Sequence, residues 1–210
     1  ELIASKQMIP STQGWQFKSV DLHNIKNDNS NLAVTEMRLR RMPEEPLRIM
    51  AHGAILGSSF SIAEVAELAN VEVNAAVEAL LPATRAYFLW IDANRTRARF
   101  ISEHARHLLL ARFDSDQQTA LHHQAAQLIE ARDNTRVFEL AHHWDAAGHG
   151  DAAISNALKA AEAAASNHTL EYSIEFYRIA HKWLDHSNET QRFRILFGFG
   201  RVLLNASHYD

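Results

Sequence analysis

The sequence predicts a mainly α-helical fold that contains one small β-hairpin, and three observations support this prediction. Apolar residues recur at intervals of three and four along most of the chain after Leu47, which is the spacing of helices that bury one face. Glycine and proline number only seven and four in 210 residues, so few positions interrupt a helix. The run from Tyr87 to Ile91 is aromatic and β-branched, which is typical of a strand.

The composition limits the classes of function. Hydrophobic residues make up 47% of the chain and charged residues 22%, which is ordinary for a globular protein. The net charge of -4 gives no general attraction to nucleic acid or to anionic membranes. The absence of cysteine excludes disulfides, thiol nucleophiles and thiolate metal sites. Neither a signal peptide nor an apolar run long enough to span a membrane is present, so we expect a cytoplasmic protein without a membrane segment.

Residues 1–42 are the least regular part of the sequence. Gly14 to Phe17 fits either a short strand or an aromatic plug, and Asn24 to Asn31 is polar and turn-prone. Residues 31–42 are predicted to form a helix that ends before Pro43. The two prolines of the segment 43–46 mark the first domain boundary, because a proline disfavours helix in the residue before it.

Residues 43–113 are predicted to form three short helices and a hairpin. The first helix begins near Leu47 and ends at Gly57. The second has a capping-box pattern, in which the Ser61 hydroxyl accepts from a backbone N–H and Glu64 reaches back. The third carries an apolar stripe at helical spacing until Pro82 disrupts it. Three short helices followed by a hairpin is the order of elements in a winged helix.

The predicted hairpin runs from Tyr87 to Ile101 with a turn at residues 92–94. Its second strand is rich in arginine. Alternation along a strand places Arg95, Arg97 and Arg99 on one face, which suggests pairing with an acidic neighbouring domain or partner.

The rest of the chain is predicted to be helical. The expected helices cover residues 103–113, 115–132 (with Ser115 as a cap), 135–147, 151–166, 169–184 and 190–206. Trp144 is predicted to pack between the helices of one hairpin, and the alanines of 151–166 to allow close helix approach. Residues 165–169 are echoed at 206–210, which predicts a helical-repeat array cut in mid-repeat. Its last helix should then leave an apolar stripe uncovered, formed by Phe193, Leu196, Phe197 and Leu204.

Three motifs carry a family resemblance. The first is Arg38-Leu39-Arg40-Arg41-Met42-Pro43, the second is the turn AILGSSFS at 54–61, and the third is LAHHWDAAG at 140–148. In kind and order they resemble the region just after the nucleotide-binding domain of bacterial signal-transduction ATPases of the STAND class. The array of that family is tetratricopeptide-like. This chain departs from the family in having Phe100-Ile101-Ser102 where Phe-x-His is usual, while Arg106 lies where a family arginine often falls.

The resemblance implies a domain organisation and a role. Residues 1–42 would end the helical region of an upstream ATPase, 43–113 would form a winged-helix-like domain, and 114–210 would form truncated tetratricopeptide-like repeats. The segment would be regulatory and non-catalytic, without a cofactor, while an upstream domain would bind ATP. Such ATPases are fused to kinases, to nucleotide cyclases or to transcription regulators. The expected partners are the upstream nucleotide-binding domain, downstream repeats, and an effector that is either a protein or a small molecule.

The main alternative is a winged-helix transcriptional regulator that binds DNA and dimerises through its helices. A basic surface on the helix at 72–85 would favour it, but that helix carries Glu72 and Glu78 and no base before Arg85. The preceding helix adds Glu64 and Glu67, and phosphates would be repelled. We therefore do not expect this segment to bind duplex DNA.

Other activities lack their motifs. There is no phosphate-binding loop with lysine and no nucleophile elbow, so neither ATP hydrolysis nor a serine hydrolase is predicted. The adjacent pairs His122/His123 and His142/His143 point in different directions on a helix and are not predicted to bind metal. His104 and His107 lack a third ligand. Six aromatic residues fit packing between helices better than a groove for a peptide: Trp144, Phe176, Tyr177, Trp183, Phe197 and Phe199.

Overall fold

The computed structural model describes residues 8–11, 14–17, 28–185 and 188–206, with side chains from residue 33 onwards. The chain divides into two compact units, Glu1–Arg41 and Met42–Asp210. In the first unit, strands β1 (Met8–Ser11) and β2 (Gly14–Phe17) pair antiparallel, which supports a strand rather than a plug at 14–17. Helix α1 (Asp28–Arg40) begins three residues earlier than predicted. Asn24 to Asn27 and residues 207–210 of the predicted repeat echo lie outside the described residues.

The second unit is mainly helical, as the sequence predicts, and it has a small three-stranded sheet where the sequence predicts only a two-stranded hairpin. Its elements in chain order are α2 (Glu44–Leu56), β3 (Ser59–Ser61), α3 (Ile62–Leu68), α4 (Val73–Arg85), β4 (Leu89–Ile91), β5 (Arg97–Phe100), α5 (Glu103–Leu110), α6 (Ser115–Arg132), α7 (Val137–Ala146), α8 (Gly150–Ser166), α9 (Leu170–Lys182) and α10 (Glu189–Ala206). Within the described parts of the chain, no helix combines the length and apolarity needed to cross a membrane.

Helix α2 is the centre of the first half of this unit. Its apolar residues are buried almost all round, because α3, α4, α5 and α6 pack on different sides of it. Gly53 is required on one side, since a Cβ there would lie 2.5 Å from the ring of the buried Phe60. Gly57 ends the helix with a φ of 132°, a conformation that L side chains rarely adopt.

Strand β3 was not predicted. It pairs antiparallel with β5, which also pairs with β4, so the sheet order is β3-β5-β4. The strand is only three residues long, and its two serines are typical of a turn and a helix cap, so the sequence does not indicate a strand. The first strand of the hairpin begins at Leu89 rather than Tyr87, because Tyr87 has a φ of 57° and ends the preceding turn.

Several predicted helix ends differ from the structure, in which α2 begins at Glu44 rather than near Leu47 and α5 ends at Leu110 rather than Phe113. The Ser61 hydroxyl accepts from the Glu64 N–H as expected, but the Glu64 carboxylate binds Arg136 instead of reaching back. Pro82 does not end α4, which continues to Arg85. Proline has no N–H to donate to the carbonyl four residues earlier, that of Glu78. Glu78 is exposed, so water can bind this carbonyl instead.

The cap of α6 is Asp114 rather than Ser115. Its carboxylate accepts from the Gln117 N–H at 2.8 Å, and the Gln117 side chain accepts from the Asp114 N–H at 3.0 Å. This is a complete capping box one residue earlier than the predicted cap.

Helices α6 to α10 are joined by short connections, and each packs against the next. Helix α8 lies between α7 and α9, and its alanines are buried against them, as the alanine-rich sequence predicts: Ala153, Ala157, Ala160, Ala161 and Ala164. Helices α7 and α9 also touch. Of the six aromatic residues, Trp144, Phe176 and Tyr177 are buried in this core, Trp183 and Phe199 pack at its edge, and Phe197 is exposed.

Candidate interaction surfaces

The arginine-rich hairpin has one buried and one exposed face. Residues that alternate on the three strands, including Phe60, Ala98 and Phe100, point into the core, where the rings of Phe60 and Phe100 lie 5.6 Å apart. The opposite face carries Arg97 and Arg99, both exposed. The predicted common face for these two arginines is therefore present.

Arg95 does not share that strand. It lies in the turn with a φ of 55°, and its guanidinium is 3.8 Å from the Glu78 carboxylate of α4. Asp92 shapes the turn by accepting from the N–H groups of Thr96 and Arg97 at 2.7 and 3.0 Å. These bonds, the one from the Arg97 N–H first, hold the pKa of Asp92 below its ordinary value. The prediction that Arg95 shares the strand face of Arg97 and Arg99 is wrong, because Arg95 lies in the turn before β5.

A second group of charged residues connects α3 to α6 and α7, partly in the interior of the unit. Glu64 of α3 is buried and forms an ion pair with Arg136, which precedes α7 and also pairs with Glu139. Burial opposes the charge of Arg136, but the hydrogen bonds that its guanidinium donates to the Glu64 and Glu139 carboxylates raise its pKa above the ordinary value. Glu67 of α3 pairs with Arg132 at the end of α6. The predicted acidic face of α3 is therefore largely used to hold α6 and α7.

The histidine pairs meet between helices. His122 of α6 and His143 of α7 place their Nδ1 atoms 2.9 Å apart, so one neutral ring donates and the other accepts. Burial, with smaller repulsion from neighbouring positive charges, lowers the pKa of His143 to about 3 and also lowers that of His122. His123 stacks on His149 at 4.7 Å. No cluster of three or more metal-binding side chains occurs among the described residues.

The sequence indicates ordinary surface or interhelical histidines and does not predict the direct contact of His122 with His143. The only available signal was that each pair lies on one of two helices predicted to be neighbours. His107 lies 3.4 Å from the Glu103 carboxylate, within its own helix. Arg106 donates to the Ala54 carbonyl at 3.0 Å and so connects α5 to α2.

The outer side of α10 is an exposed apolar stripe, as the sequence predicts. The exposed fractions are 68% for Phe193, 60% for Phe197 and 67% for Leu204. Leu196 and Leu203 are also exposed, while the inner side of the helix packs on the core through Ile195 and Val202. Several large apolar side chains in one row form a contact surface rather than scattered exposure.

No protein-family model, curated protein or solved structure matches this chain significantly.

Proposed function

We propose that this chain is a non-catalytic regulatory and protein-interaction segment of a multidomain signalling ATPase. In this proposal a winged-helix-like domain and a tetratricopeptide-like array act as one unit. The array contacts a partner or effector, and the winged-helix-like domain relays that state to a nucleotide-binding domain elsewhere in the protein.

The arrangement of α2 to α5 around a three-stranded sheet supports the winged-helix part. Three helices precede a β-hairpin, and the sheet has one face on the core and one in solvent. The side of this domain that a DNA-binding winged helix would use is unsuited to phosphates, because Glu72 and Glu78 are exposed on or beside α4 and Glu67 lies nearby.

The packing of α7 to α10 supports the array. Each helix contacts the next along the chain, α7 also touches α9, and buried alanines of α8 pack against both. The end of α7 is fixed to the end of α9 through Asp145, which accepts from the Trp183 Nε1 at 2.6 Å and from Lys182 at 2.7 Å.

The buried Glu64–Arg136 pair is the observation that carries the proposal. It joins α3 to the start of α7, next to the contacts of α6 with α2 and α3. A displacement of the array would have to move α3, because separating the two charges would leave one of them buried without a partner. This is a mechanical connection suited to a relay.

The test is a pair of titrations on this chain. Mg·ATP should produce no binding heat in calorimetry, and duplex DNA at physiological salt should give only weak, non-specific complexes. Micromolar ATP binding would contradict the assignment of nucleotide chemistry to another domain. A sequence-specific duplex complex of nanomolar affinity would replace the proposal with the DNA-binding regulator.

A further inference from the structure

The exposed face of the three-stranded sheet has an ordered composition. Trp90 of β4, Arg99 of β5 and Ser59 of β3 are cross-strand partners, so their side chains form one row on the same face. A second row contains Arg97 and Ser61. Trp90 is 54% exposed although it is the largest apolar side chain of the domain.

The positive charge of this face is only partly balanced within the chain, because Asp92 interacts electrostatically with Arg97 alone. Within the described part of the chain, no acidic group forms an ion pair with Arg97 or Arg99. Asp92 faces Arg97, but its two carboxylate oxygens already accept hydrogen bonds from the turn, two from backbone N–H groups and one from the Thr96 hydroxyl. By contrast, the arginines of α5 and α6 and the one before α7 have carboxylate partners: Arg106, Arg132 and Arg136.

We propose that this face, defined by Trp90, Arg97, Arg99, Ser59 and Ser61 and called here the basic sheet face, binds an extended acidic protein segment. Arg97 and Arg99 are two residues apart on one strand, so their side chains leave the sheet about 7 Å apart. An extended segment with Asp or Glu at every second position repeats that spacing. Each guanidinium can then bind one carboxylate through two parallel hydrogen bonds.

Trp90 and the serines complete the site. Trp90 lies beside Arg99 and would shield an ion pair between Arg99 and a bound carboxylate from water. Tryptophan and arginine are both enriched at the centres of protein interfaces. The hydroxyls of Ser59 and Ser61 line the other edge and supply donors for carboxylate oxygens.

The surroundings favour a protein over nucleic acid. Residues 42–113 contain no lysine and balance seven arginines with eight acidic residues. Glu78 lies at the rim, where it already holds Arg95, and would repel a phosphate backbone that continued past the sheet. A peptide with an acid at every second position can place neutral residues near Glu78, whereas a phosphate backbone is charged at every nucleotide. This inference rests on the proposed protein-interaction role and specifies the chemistry of one partner.

The test is fluorescence anisotropy with three labelled probes: an eight-residue peptide of alternating Glu and Thr, the same peptide with Gln for Glu, and an oligothymidylate of eight nucleotides. We expect the Glu peptide to bind most tightly, with binding that weakens as salt rises. The double variant Arg97→Gln/Arg99→Gln should weaken it roughly fivefold to tenfold, and Trp90→Thr should weaken it as well.

The matched control is Arg178→Gln/Arg192→Gln, which removes the same charge from exposed positions on α9 and α10. It should leave the affinity unchanged. Equal losses in both double variants, equal binding of the Gln peptide, or no binding at millimolar peptide would overturn the inference. Tighter binding of the oligothymidylate would also overturn it and would identify a nucleic-acid surface. None of these results depends on the ATP and duplex titrations, so the two proposals fail separately.

Discussion

At the scale of single residues, neutral histidines are built into the contact between α6 and α7. His143 is 4% exposed, so its positive form is poorly solvated, and its hydrogen bond to His122 requires at least one of the two rings to stay neutral and accept. The charged groups that face the pair are Arg106 of α5, His142 of α7 and Arg136, and all of them oppose protonation. The packing of these helices therefore depends on pH.

We expect the protein to lose stability as the pH falls below about 6.5. The folded-state pKa of His143 is about 3, against 6.5 for the ordinary group, so the unfolded chain binds the proton first between these values. The loss from His143 alone should be about 2 kcal/mol at pH 5. Urea unfolding at pH 7 and pH 5 measures it. His143→Gln should reduce this pH dependence, whereas the exposed control His107→Gln should not; equal dependence in all three proteins would refute the explanation.

Trp144 is a second residue whose role can be measured. Its ring lies against His123 of α6 and His149 at the start of α8, at 5.4 and 5.3 Å. Trp144→Ala should cost about 3–5 kcal/mol of unfolding free energy, because a large buried ring is lost. Trp144→Phe should cost much less, since Nε1 is a buried donor with no partner among the described residues. An alanine variant as stable as the wild type would show that this ring does not stabilise the packing of α6, α7 and α8.

At the scale of elements, α10 carries two glycines with opposite requirements. A Cβ on Gly198 would lie 2.7 Å from Cζ of Tyr177, whereas a Cβ on Gly200 meets nothing within 4 Å. Gly198→Ala should therefore destabilise the protein by about 1–3 kcal/mol. Gly200→Ala should stabilise it by up to about 1 kcal/mol through helix propensity. Thermal melting of both variants tests this, and a stabilising Gly198→Ala would show that α10 does not pack on Tyr177 as described.

The apolar stripe of α10 should drive self-association. Phe193 and Phe197 are exposed, and their stacked rings have centroids 5.4 Å apart. A second molecule could bury this apolar surface against its own. Light scattering of the wild type should show a mass that rises with concentration. Phe193→Ser/Phe197→Ser should abolish that rise, while Tyr172→Ser, at another exposed aromatic, should not. A wild type that stays monomeric would remove the support for an uncovered stripe.

Sequence reasoning was most accurate for the helices. Their periodicity and breaks are local, so the ends of α8 and α10 and the exposed side of α10 follow from pattern alone. It failed where partners are distant in the chain. Strand β3 forms because β5 returns beside it, and the Glu64 side chain leaves its own helix for Arg136, 72 residues away. The meeting of His122 and His143 required the register between two helices, which no short motif encodes.

At the scale of the whole molecule, the Met42–Asp210 unit is compact because two charged contacts and the packing of α6 connect its halves. The predicted separation into domains at 113 and 114 remains a prediction about sequence organisation. The structure adds that α6, on the far side of that boundary, packs against α2 and α3. Unfolding should therefore involve both halves together.

The buried Glu64–Arg136 pair gives a direct test of that cooperativity. Glu64→Gln should cost about 2–4 kcal/mol, because the arginine would lose the partner that compensates its burial, although Arg136 retains Glu139 and some exposure. The matched control Glu67→Gln breaks the exposed pair with Arg132 and should cost less than about 1 kcal/mol. Native-state hydrogen exchange should then show faster opening in both α2 and α8 for Glu64→Gln, and in neither for Glu67→Gln. If only α3 opened faster, the pair would stabilise α3 locally, and the coupling between the two halves would depend on the packing of α6 instead.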